Sequence, residues 1–85
     1  MKELFKKYEM LEAEANRADD AWGADPENEQ LEAEFDRAYQ AEHEAFTELV
    51  NAIVKLSGGQ IEHKTAAMMI RAKRNELKTL IEKIA

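Results

Sequence analysis

His43 and His63 are the only imidazoles in this chain, and their surroundings decide whether they could hold a metal or move a proton. Two ligands share a helical face only when they stand three or four residues apart, as in Glu-x-x-His or His-Glu-x-x-His. Neither histidine has a carboxylate at that spacing, and the chain has no cysteine. Both therefore read as ordinary half-exposed side chains, and no metal or other cofactor is expected. Nucleophilic chemistry needs a hydroxyl backed by a base and an orienting acid. Ser57, Thr47, Thr65 and Thr79 lack such partners by spacing. Ser57-Gly58-Gly59 also lacks the Gly-Lys-Ser/Thr ending of a phosphate loop, so it reads as a turn.

Carboxylates are the remaining candidates, since a buried or crowded pair can exchange protons. Nearly all of them fall on polar helical faces, where water keeps them ionised. Glu42 alone lies within an apolar seam. Antiparallel pairing about Gly58-Gly59 would bring it towards Lys73 and Arg74, and Lys6 could approach from the first stretch. The spacing predicts a partly buried ion pair that sets helix register rather than a reactive acid. No catalytic residue, no enzymatic activity and no small-molecule substrate are expected.

The elements that carry these residues follow from punctuation and period. Gly23-Ala24-Asp25-Pro26 and Ser57-Gly58-Gly59 divide the 85 residues into three stretches. In the first, Met1, Leu4, Tyr8, Leu11, Ala15, Ala18 and Trp22 alternate steps of three and four, the mark of an amphipathic helix. Gly23 is placed as its C-terminal cap, and Asp25-Pro26 as the N-cap and first residue of the next helix. The second stretch has two adjoining seams, through Leu31, Phe35, Ala38, Glu42, Ala45, Leu49, Ala52 and Leu56 and through Tyr39, Phe46 and Ile53. A face that wide suits a central helix touching two neighbours. The third carries Ile61, Ala66, Ala67, Ile70, Leu77, Leu80, Ile81 and Ile84. Short connections make successive helices antiparallel. The sequence thus predicts an all-α fold: one domain, an antiparallel up-down-up three-helix bundle with helices at about 2–22, 26–57 and 60–84 and a long helix 2/helix 3 hairpin.

Charge is unevenly spread. Residues 1–22 carry four basic and six acidic groups, residues 23–57 two and nine, and residues 58–85 six and three, which gives −2, −7 and +3 and a total of −6. A net negative chain argues against direct nucleic-acid binding, because affinity for phosphates comes from basic residues that displace counterions. No stretch is apolar enough for a signal peptide or a membrane span, so the expected location is cytoplasmic, with no membrane partner.

Two surfaces remain for a partner. At about 1.5 Å per residue the first helix falls short of the second, leaving the hairpin tip with one neighbour. Leu49, Val50, Ile53, Val54, Ile61, Met68 and Met69 are therefore expected as an exposed apolar patch for a protein partner or a second copy. Trp22 reads as a core plug beside Leu31. The second surface is acidic: from Asp19 to Asp36 there are eight carboxylates and no cation, and Asp25, Glu29, Glu32 and Asp36 follow helical 4-3-4 spacing. Such a row could imitate a phosphate backbone and fill the basic groove of a nuclease or polymerase. A third reading, a DNA-associated regulator, would use Arg71, Lys73 and Arg74, but these should mostly pair with the acidic middle helix.

Overall fold

The computed structural model describes residues 1–84. These residues form four helices and no strand: α1 (Lys2–Ala24), α2 (Glu29–Leu56), α3 (His63–Ala72) and α4 (Arg74–Ile84). The all-helical expectation holds, and the count of three does not. Residues expected as one third helix form two, separated by Lys73. By contacts the chain divides into two compact units, Met1–Thr47 and Glu48–Ala85, and α2 contributes residues to both.

In the first unit α1 and the first part of α2 run antiparallel, as two ring contacts show. Tyr8 lies 5.7 Å from Phe46 and Trp22 lies 5.3 Å from Phe35, so positions advance along one helix as they retreat along the other. Phe5, Tyr8, Ala15, Ala45 and Phe46 are buried. The connection is a turn in which the Asn28 amide donates to the Asp25 carbonyl at 3.0 Å. Asp at the first position and Pro at the second suit such a turn, because proline presets the backbone angle required.

That turn corrects the expected boundaries. Helix α1 runs through Gly23 to Ala24, and Asp25, not Gly23, ends it, its amide donating to the Trp22 carbonyl at 3.0 Å. The cap of α2 is Asn28, whose Oδ1 accepts from the amides of Gln30 and Leu31 at 3.0 and 3.2 Å. Asp25 instead accepts from the Asn28 side-chain amide at 3.2 Å. Both Asp and Asn are good cap residues. Helix α2 therefore starts three residues later than the Asp-Pro pair suggests.

The second unit takes its buried residues from three helical segments: Leu49, Val50 and Ile53 of α2, Ala66 and Ile70 of α3, and Leu77 and Ile81 of α4. Helix α2 ends as the glycines require. Gly58 and Gly59 adopt φ of 64° and 87°, and their amides donate to the carbonyls of Lys55 and Val54, both at 3.1 Å. This paired arrangement satisfies carbonyls that a helix end leaves without partners. The Ser57 hydroxyl tightens the turn by donating to the Val54 carbonyl and accepting from the Ile61 amide. It is a turn, as expected from its lack of phosphate-loop residues.

The break at Lys73 has a local hydrogen-bond explanation. Lys73 has φ −139° and ψ 45°, outside the helical region. Its amide closes α3 on the Met69 carbonyl at 2.8 Å, and its carbonyl opens α4 by accepting from the Leu77 amide at 3.0 Å. In an unbroken helix the Ile70 carbonyl would accept the Arg74 amide. Here it accepts the Arg74 side chain, Nε at 2.9 Å. One guanidinium replaces the bond that the break removes.

Candidate functional site

Burial corrects the apolar tip first. Leu49, Val50 and Ile53 were expected to be exposed, on the assumption that the end of α2 has one helical neighbour. All three are buried, Leu49 and Ile53 almost completely. They belong to the same compact unit as α3 and α4, whose Ala66, Ile70, Leu77 and Ile81 are buried as well. Val54, Ile61 and Met69 are half-buried, and only Met68 of the seven is largely exposed, at 52%. An isolated exposed methionine is ordinary protein surface.

The acidic residues are where the sequence places them, with one exception. Asp25, Glu29, Glu32 and Asp36 are all exposed, but Asp25 belongs to the turn and leaves the helical row. Glu29, Glu32 and Asp36 remain on one face of α2, at steps of three and four. The same steps continue to Tyr39 and then His43, both exposed. The acidic row therefore runs directly into an aromatic one.

That aromatic row is the feature the sequence reasoning missed. Four rings follow one another: Trp22 to Phe35 at 5.3 Å and 28°, Phe35 to Tyr39 at 5.8 Å and 32°, and Tyr39 to His43 at 6.5 Å and 11°. Phe35, Tyr39 and His43 stand four apart on α2, where side chains lie one above the next. Trp22 joins them from α1. It is half-buried rather than a core plug, and its indole Nε1 donates to the Pro26 carbonyl at 3.3 Å. Phe35 is half-buried too, and Tyr39 is 55% exposed. The signal was present in the four-residue spacing, but Phe35 and Tyr39 also fit an apolar seam, which hid it.

Glu42 is half-buried, and the neighbour that sequence reasoning overlooked is Tyr8 of α1. The Tyr8 hydroxyl donates to Glu12 Oε2 at 3.2 Å, and Glu42 lies near enough for its charge to act on the phenol. Burial pushes the Tyr8 phenol well above its ordinary range, and the charges of Glu12 and Glu42 add to the effect. At neutral pH this cluster holds a protonated phenol between carboxylates of two helices, a packing arrangement with no activated nucleophile. Arg74 is half-buried against the Ile70 carbonyl, and Lys73 is the exposed residue at the helix break. Arg71, Lys73 and Arg74 are thus divided between the end of α3, the break and the start of α4.

His43 and His63 have separate roles. His43 ends the aromatic row, and His63 Nε2 lies 3.2 Å from Asn51 Oδ1. Among the described residues no group of three or more His, Asp or Glu side chains is placed to hold a metal ion. No helix among them is long and apolar enough to cross a membrane. No protein-family model matches the chain, and comparison with curated proteins and with solved structures returned no significant similarity.

Proposed function

We propose that this chain is a non-enzymatic helical interaction protein of the cytoplasm that binds another protein through the exposed face of the α1–α2 pair. The observation that carries the reading is the row Trp22, Phe35, Tyr39 and His43, aromatic surface left at the protein–water boundary. Trp and Tyr offer large contact area at small conformational cost and are enriched where binding energy concentrates. The burial of Leu49, Val50 and Ile53 moves the expected partner surface from the α2–α3 turn to this face.

The test is site-specific photo-crosslinking in the native host, with the photoreactive residue at Gln40, beside the row, and a second at Met68 as comparison. Adducts to another protein from Gln40 are expected. Sedimentation of the purified chain over a range of concentrations separates this from self-association. Absence of heterologous adducts from Gln40 would refute the reading.

A second reading is an acidic decoy that occupies the basic groove of a nucleic-acid-handling enzyme. It is favoured by Glu29, Glu32 and Asp36, which are all exposed on one helical face. Reversing the charges of Glu32 and Asp36 should abolish such inhibition, and added salt should weaken it steeply. Salt-independent inhibition would exclude it.

A further inference from the structure

We infer that the face of α2 from Glu29 to His43 takes an arginine-bearing basic segment of its partner, with guanidinium groups laid on the aromatic row and held by Glu32 and Asp36. The inference rests on the interaction-protein reading and specifies the partner's chemistry. Three observations converge on it. The rings of Tyr39 and His43 are nearly parallel, 11° apart, and both residues are exposed, so a flat group has a surface to lie on. Trp22 extends that surface from α1 through Phe35. Glu29, Glu32, Asp36, Tyr39 and His43 then follow steps of three, four, three and four along α2, placing carboxylates and rings on one continuous strip.

Charge selects the occupant. The strip itself carries Glu29, Glu32 and Asp36 and no lysine or arginine, so an acidic ligand would meet repulsion there and a basic one attraction. A cation over an aromatic face is attracted by the ring's electron density, most strongly over Trp. Of the two basic side chains, Arg fits better. Its planar guanidinium stacks on a ring while its edge donates two parallel hydrogen bonds to a carboxylate. Lysine offers a compact, strongly hydrated charge and can satisfy only one of these contacts well. An aromatic ring with a carboxylate one turn away, as at Tyr39 and Asp36, supplies both.

The test uses the full chain and two synthetic peptides, an arginine–glycine repeat and its lysine counterpart. Trp22 is the single tryptophan, so intrinsic fluorescence reports directly from the row. The arginine peptide should bind with a change in Trp22 emission, and the lysine peptide should bind severalfold more weakly. Tyr39→Ala should weaken the arginine peptide about threefold to tenfold. The Glu32→Gln/Asp36→Asn double variant should weaken it about tenfold or more and flatten the salt dependence. All three side chains are exposed, and circular dichroism checks that the variants stay folded. No binding of the arginine peptide, equal binding of the lysine peptide, or binding indifferent to Tyr39→Ala would each overturn the inference. Should it fall while Gln40 still crosslinks to another protein, the interaction reading stands and the partner's chemistry is different. Loss of both removes the reading as well.

Discussion

Gly58→Ala and Gly23→Ala add the same methyl group, and the structure gives them opposite signs. A Cβ built at either position meets nothing within 4 Å, so neither change is decided by crowding. Backbone conformation decides both. Gly58 has φ 64°, in the left-handed region, where an L side chain costs about 1–2 kcal/mol. Alanine also narrows the unfolded ensemble, which returns about 0.4–1 kcal/mol. The net loss is about 1 kcal/mol, or about 4–8 °C in Tm for a domain of this size. Gly23 lies inside α1, one residue from its end, with an ordinary helical backbone. There alanine gains about 0.5 kcal/mol, less than mid-helix because the last turn frays, and Tm should rise by about 2–4 °C. Gly58→Asn should fall between wild type and Gly58→Ala, since Asn tolerates the left-handed region best after glycine. Thermal and urea unfolding followed by far-ultraviolet circular dichroism measures all three. If Gly58→Ala and Gly23→Ala moved stability in the same direction, the glycine cap of α2 would be wrong, and with it the geometry of the turn that leads to α3.

Three further outcomes follow from named contacts. Asn28→Ala should cost about 1 kcal/mol, because two backbone amides lose their acceptor, whereas Asp25→Ala should cost less than about 0.5 kcal/mol; equal losses in urea unfolding would restore Asp25 as the helix cap. Leu77→Ala should lose about 2–5 kcal/mol from a fully buried position, while Met68→Ala at 52% exposure should stay within about 0.5 kcal/mol, and a Leu77→Ala variant as stable as wild type would contradict the core of the second unit. The third concerns pH. The Tyr8 phenol has its folded-state pKa raised above the unfolded value of about 10, so its contribution to stability is complete below that pH and is lost as pH climbs through the raised value. Wild type should therefore lose stability more steeply than Tyr8→Phe above about pH 10 in urea titrations, and parallel curves would show that the phenol is not held neutral by its surroundings.

Helical content was legible in the residues, because steps of three and four among Leu, Ala, Ile and aromatic side chains recur through every stretch. The turn at Gly58-Gly59 was legible for a sharper reason: only glycine accepts two successive positive φ angles without strain. The antiparallel course of α1 and α2 was legible from the short connection between them, but their register was not: Trp22 was placed beside Leu31, and it stacks on Phe35.

What the residues did not determine has one common cause. Local patterns rank the conformations a segment can adopt, and the particular hydrogen bonds and packing contacts made in the folded chain choose among them. Ala66, Ile70, Leu77 and Ile81 keep a helical spacing straight through Lys73, with no glycine or proline to announce a break; the Arg74 side chain on the Ile70 carbonyl makes the break tolerable. Asp25 and Asn28 are both good caps by type, and the closing of the turn between them assigned the role to Asn28. Phe35 and Tyr39 belong equally to a buried seam and to a surface row, because an apolar period says which side chains share a face and not what covers that face. Only the packed chain, with Trp22 stacked against Phe35 and Tyr39 left to water, distinguished core from candidate binding surface.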